Sequence, residues 1–200
     1  MSTAEPPAPD PAPRAPLRLG TAFPGVLAAA RADAPWAYER LFEAFGGAVA
    51  AYLRGQGAED PDSLANDVFL RAFTNLTSFE GDEPRFRSWV FTIAHHRLID
   101  DRRRRSRRPA TADRAAVEDH VGTVAAAEVE ALAHLGGERV ASLLGRLSPD
   151  QRDVLVLRIV GDLTVDQVAE AVGKRPGAVK ALQRRGLATL RRLLEAESGS

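Results

Sequence analysis

Apolar positions along the chain recur three and four residues apart, the spacing that gathers them on one face of an α-helix. From Asp33, a carboxylate suited to capping a helix with Pro35 in its first turn, the residues Trp36, Leu41, Phe42, Phe45, Val49, Tyr52 and Leu53 form a broad stripe. It runs to Arg54, before Gly55 and Gly57. A second helix is expected from Asp60-Pro61 to about Asn75, with Leu64, Ala65, Val68, Phe69, Ala72, Phe73 and Leu76 turned inward. The loop 77–88 leads into a third, from Pro84 or Phe86 to about Arg105, whose buried side is Phe86, Trp89, Val90, Ile93, Ala94, Leu98 and Ile99.

A second block of stripes begins near Glu138 with Val140, Leu143, Leu144 and Leu147. Ser148-Pro149-Asp150-Gln151 is a capping box with proline at the first helical position, and Val154, Leu155, Leu157, Ile159 and Val160 follow before Gly161. Thr164 and Gln167 make another capping box, opening a short helix with Val165, Val168, Ala169 and Val172. Gly173 supplies a permissive turn, Pro176 starts a last helix, and Val179, Leu182, Leu187, Leu190 and Leu194 give it an apolar face. The predicted fold is all-α, two small helical domains joined by a long linker.

Composition sets the boundaries. Residues 1 to about 20 are rich in Pro and Ala with almost no large apolar side chain, so a disordered, polyproline-like tail is expected over 1–32, ahead of the first strong stripe. Between the blocks, 109–137 is Ala-rich and acidic, with Asp113, Glu118, Asp119, Glu128 and Glu130. The domains are then 33–108 and 138–196, and a hydrophobic share of 44% suffices for a core in each. The absence of cysteine excludes disulfides, thiolate metal ligands and thiol catalysis, and it fits a reducing compartment. Without an apolar run of about 18 residues or a secretory signal, a cytoplasmic protein with no membrane insertion is expected.

A formal net charge of zero conceals a strong segregation. No acid falls between Glu170 and Glu195, whereas seven Lys or Arg do. Ala169, Gly173 and Val179 stand where a helix-turn-helix needs close packing, a sharp bend and a core anchor. The second helix of that pair would present Arg175, Lys180, Gln183, Arg184 and Arg185 outward, as a helix in a DNA major groove requires. A merely solvated basic face is the plainer reading of the same pattern. The third helix ends in six arginines within 102–108, which suits contact with phosphates. Trp89 belongs to the core or its edge, and Phe91, off the stripe, is a weak stacking candidate. His96 and Asp100 lie one turn apart beside His95 and Asp101, but no further ligand accompanies them, so no metal or other cofactor is expected.

Taken in order, DPDSLANDVFLRAF (60–73), FRSWVFTIAHHRLIDDRRRR (86–105) and LSPDQRDVLVLRIVGDLTVDQVAEAVGKRPGAVKALQRRGLATLRRLL (147–194) resemble the extracytoplasmic-function (group IV) sigma factors of the sigma-70 family. The resemblance covers about 36–108 and 138–195. It implies a non-enzymatic initiation subunit whose partners are core RNA polymerase, promoter DNA and an anti-sigma factor. It assigns Asn66, Asp67, Leu70 and Arg71 to the polymerase clamp and places the 77–88 loop beside a flipped-out minus-10 base. Phe86, Arg87, His95, His96, Arg97, Arg102, Arg103 and Arg104 go to the minus-10 element. Arg175, Lys180, Gln183, Arg184 and Arg185 go to the minus-35 element. Ala181-Leu182 stands where the family commonly has Ser-Arg, and His95-His96 where it has Arg-Asn, so Lys180, Gln183 and Arg184 carry more of the minus-35 contact. The alternative is a two-domain regulator using the same helix-turn-helix with a sensing or interaction domain at 33–105, although such a domain has no need of an Arg-rich third helix.

Overall fold

The computed structural model describes residues 18–107, 137 and 139–198, and every regular element among them is helical. In chain order these are α1 (Phe23–Arg31), α2 (Pro35–Gly55), α3 (Pro61–Thr74), α4 (Glu83–Arg107), α5 (139–145), α6 (Pro149–Ile159), α7 (Val165–Val172) and α8 (Pro176–Ser198). Single 3-10 turns precede α1 and α4 at Gly20–Ala22 and Leu76–Ser78. The acidic linker, most of the Pro/Ala tail and Arg108 lie outside the described residues.

Order begins earlier than the composition predicts. Phe23, Val26, Leu27 and Ala30 form a helical stripe of their own and are buried, so α1 is part of the first module rather than of the tail. A high content of Pro, Ala and Gly masked four inward-facing positions. Asp33 does not cap α2 either. It sits at positive φ (61°) in the turn between α1 and α2, and its carboxylate accepts from the Tyr38 hydroxyl at 3.0 Å. Ala34 holds the cap position without a side-chain bond, and Pro35 begins the helix without needing a donor partner.

The remaining starts follow the local chemistry. Asp60 accepts from the Ser63 N–H at 2.9 Å to open α3. Ser148–Gln151 and Thr164–Gln167 form complete, reciprocal capping boxes at α6 and α7, each satisfying two otherwise orphaned N–H groups. Gly173 ends α7 in the left-handed region at φ 66°, the conformation that a residue without a Cβ adopts at little cost.

In the first module α4 packs across α2 and α3 and buries Phe86, Val90, Phe91, Ala94 and Leu98. Phe86 lies among the rings of Phe23, Phe45 and Phe79 at centroid distances of 5.2 to 5.6 Å. The second module closes around Val154, Leu155, Leu157, Leu163, Val168 and Val179. Rather than standing apart, the two modules share one continuous core: α7 lies on α4, and Leu144 and Val156 reach the backbone of Gly55 at the end of α2.

The turn after α6 is the tightest point of this arrangement. A Cβ at Gly161 would stand 2.6 Å from the Leu157 carbonyl oxygen, a backbone atom that cannot rotate aside. Gly161→Ala is therefore expected to destabilise the fold by about 1–3 kcal/mol, read as a lowered midpoint in urea unfolding.

Candidate nucleic-acid and polymerase interfaces

The helix-turn-helix has the geometry its sequence implied. Ala169 of α7 is buried, and Val179 is wholly buried and anchors α8. Arg175 in the turn before α8 and Lys180, Arg184 and Arg185 on the helix are exposed, and Gln183 is half-buried. None of these four cations forms an ion pair among the described residues, whereas nearby Lys174 pairs with Asp150 at 2.9 Å and Arg191 with Glu195 at 3.6 Å. A row of uncompensated positive charge on a rigid helix is suited to polyphosphate. Leu182 is turned inward and buried, so position 182 belongs to the core rather than to the basic face.

The arginines of α4 are different in kind. Arg97 is held by Asp67 of α3. Arg105 pairs with Asp101 at 2.7 Å and Glu59 at 3.6 Å, and Arg102 donates to the backbone and side-chain oxygens of Gln56 at 2.6 and 3.0 Å. Arg103 is exposed with only a long contact of 3.9 Å to Asp100, and Arg104 is exposed. The cationic end of α4 thus doubles as a set of ties to α2, α3 and the turn between them. His96 is exposed on the same helix.

Three members of the expected minus-10 set are interior residues. Phe86 is part of the aromatic core. Arg87 is buried with its guanidinium 5.0 Å over the Phe45 ring, and burial lowers its pKa. Both of its terminal nitrogens lack a hydrogen-bond partner among the described residues. His95 is buried beside Tyr52, its Nδ1 3.0 Å from the phenol oxygen. Phe91, a stacking candidate by sequence, is also fully buried, edge-on to Tyr52 at 5.6 Å. Phe86 lies on the main apolar stripe itself; the other three are buried because α4 has neighbours on more than one side, so residues off that stripe still meet protein. Among the described residues no group of three or more metal-capable side chains converges, and no helix is long and apolar enough to cross a membrane.

On α3, by contrast, Asn66, Asp67, Leu70 and Arg71 share one exposed face, and Leu70 is 69% exposed. These two surfaces coincide with two recognised units. Residues 41–108 match the family described as Sigma-70 region 2, and residues 137–190 match Sigma-70, region 4. The RNA polymerase sigma factor CnrH of Cupriavidus metallidurans is 32% identical over 170 residues, covering 81% of this chain and 88% of CnrH.

The chain belongs to the extracytoplasmic-function sigma factors of the sigma-70 family.

Another relative of this sigma factor is the extracytoplasmic-function sigma factor BldN of Streptomyces coelicolor, 30% identical over 160 residues, 79% of this chain and 60% of BldN. The solved structure of CnrH in complex with the cytosolic domain of CnrY superposes with a TM-score of 0.64 at 30% identity, over 88% of this chain and 98% of that one. Sigma factors are the initiation subunits of bacterial RNA polymerase, and this one carries both conserved regions with the helix-turn-helix in the second.

Sequence reasoning missed the seam between the modules. Burial, with His96, Arg102 and Lys174 adding positive charge, pushes the His95 pKa down from 6.5 to about 4. Asp153 of α6 is pushed up from 3.8 to about 6, chiefly by burial and against the pull of Arg102, and its Oδ1 has no hydrogen-bond partner among the described residues. Burial also raises the Tyr52 hydroxyl well above its ordinary value. The only local signal for Asp153 is an acid set within the apolar run of α6, which marks an anomaly without naming its neighbours.

The two shifts have opposite consequences for stability. A histidine kept neutral in the fold stabilises it less as pH falls from 6.5 toward 4, because the unfolded chain then takes up the proton first. A carboxyl that keeps its proton in the fold to about pH 6 costs stability as pH rises from 3.8 through 6. Asp153→Asn removes the second effect alone. Its melting temperature relative to the parent should therefore become more favourable as pH rises from about 4 to above 6, measured by thermal denaturation across that window.

Proposed function

We propose that this sigma factor divides its work between the two exposed surfaces. In this reading α3 docks on core polymerase through Asn66, Asp67, Leu70 and Arg71, and α4 with the 77–88 loop engages the minus-10 element. The α8 face with Arg175, Lys180, Gln183, Arg184 and Arg185 enters the major groove at the minus-35 element. The observation that carries the reading is the contrast in pairing. Arg175, Lys180, Arg184 and Arg185 have no acidic partner among the described residues, whereas Arg97 and Arg105 of α4 are tied to acids of their own module. Unpaired cations release counterions on meeting DNA without first breaking an internal ion pair.

Within α4, Arg103, Arg104 and His96 are the exposed groups that could meet phosphates directly. For Arg87 and His95 to do so, α7 would have to leave α4, so their part in promoter binding belongs to a form with the modules separated. Phe86 acts as a core residue beneath the loop. The chain has no catalytic chemistry of its own in this account and works in the cytoplasm, where polymerase and DNA are. An anti-sigma factor is a further expected partner, as the CnrH–CnrY complex illustrates for a relative.

The assignment separates two sets of variants. Lys180→Ala and Arg184→Ala should each lower promoter-directed run-off transcription roughly five- to hundred-fold, the range for a lost groove contact of about 1–3 kcal/mol, with core polymerase affinity unchanged. Leu70→Asp should do the reverse, weakening co-purification with core polymerase while leaving binding of the chain to duplex DNA intact. Equal loss of both properties in either set would refute the division of labour.

A further inference from the structure

Ahead of α4 the loop exposes three consecutive residues, Glu80, Gly81 and Asp82, and of the residues that flank this tip one is tied to the end of α1 and the other to the 3-10 turn that leads into α1. On one side the guanidinium of Arg31, the last residue of α1, donates to the Phe79 carbonyl oxygen. The Phe79 ring is itself buried, stacked on Trp89 at 5.1 Å and edge-on to Phe86 at 5.3 Å. On the other side the Glu83 carboxylate accepts from the backbone N–H groups of Leu19 at 3.0 Å and Gly20 at 2.7 Å. Those donors open the helical run that continues into α1, where the positive end of the helix favours a carboxylate.

The tip between these ties has little freedom. Gly81 has φ 148°, a region that side-chain-bearing residues rarely adopt, and a Cβ there would stand 2.8 Å from the Arg85 side chain. Asp82 accepts from the Arg85 N–H at 3.0 Å. Nor can α1 slide, because Phe23 packs on Phe86 at 5.6 Å and Val26, Leu27 and Ala30 are buried beneath it. The Arg31 bond holds the loop's own main chain at Phe79, and the other tie holds the Glu83 side chain to the main chain of Leu19 and Gly20.

We propose that α1 is a strap that fixes the pose of the Glu80–Asp82 tip, which makes Arg31 and Glu83 positioning residues for base selection at the minus-10 element. The inference rests on the reading that the 77–88 loop lies beside the flipped-out base. A base taken from the stack is read by hydrogen bonds and stacking inside a closely shaped pocket. A site of that kind works only when its supporting shell holds it to within about half an ångström. A main-chain tie at Phe79 and a side-chain tie at Glu83, one at each end of a three-residue tip, supply such a shell.

The test is in vitro transcription by polymerase reconstituted with the full-length chain on a template library randomised over both promoter elements, with transcripts sequenced for base preference. Arg31→Ala should flatten the preference at minus-10 by about five-fold, the worth of one ordinary hydrogen bond, while the minus-35 preference from the same library stays at the parental level. Arg31→Lys, which keeps a donor for the Phe79 carbonyl, should restore most of it. Glu83→Gln decides the matter if Arg31→Ala fails to fold, with the same direction expected. A parental minus-10 preference in these variants, or equal flattening at both elements, would overturn the strap. Glu80→Ala and Asp82→Asn distinguish the two levels of failure. If they change the minus-10 preference and the Arg31 and Glu83 variants do not, the loop reads the base without the strap. If they change nothing, the base-reading role of the loop fails and the strap with it.

Discussion

The structure depends on the burial of α4. One stripe of this 25-residue helix, Phe86, Val90, Ala94 and Leu98, enters the core formed with α2 and α3, while α7 of the second module rests on another side. Its cations cluster toward its C-terminal end, where Arg97 meets Asp67, Arg102 reaches Gln56, Arg105 reaches Glu59 and Asp101, and Arg103 faces solvent. Nearer the start of the helix the buried Arg87 guanidinium lies over the face of Phe45, and the charges of Asp162 and Glu83 favour it.

That enclosure also sets the electrostatic division between the modules. In the first, part of the positive charge is taken up within the module, at Arg97 by Asp67 and at Arg105 by Glu59 and Asp101. In the second, the turn and capping residues of α7 and α8 consume no arginine, so the outer row of α8 stays uncompensated. A protein of zero formal net charge can in this way still carry a strongly cationic helix face.

The seam between the modules has the mixed character of an interface that can part. Apolar contact is provided by Leu144 and Val156 against Gly55, and by α7 against α4. Beside it lie groups that an optimised core would avoid: a neutralised His95, an Asp153 with one unpartnered oxygen, and a salt link from Arg18 to Asp162 at the rim. Buried polar groups of this kind lower the cost of opening relative to a wholly apolar contact, since each regains water when the modules separate.

Much of this was written locally. Capping boxes at Ser148 and Thr164, Pro at helix starts, Gly173 at a left-handed turn and the apolar period of each stripe specify their own elements, because each acts within one or two turns of chain. The outward row of α8 was equally legible, since a single helix with one apolar face has one opposite face. Other features required the tertiary structure. Whether Phe91, His95 and Arg87 meet solvent depends on how many neighbours surround α4, and periodicity along one helix carries no record of a second or third neighbour. Nor could local pattern tell that Phe23, Val26, Leu27 and Ala30 would find a partner surface, or that Arg31 and Glu83 would close on main chain 48 and 64 positions away. The sequence determined the helices, their ends and their basic face; packing alone decided which polar groups are buried, paired or free, because that outcome belongs to contacts between elements.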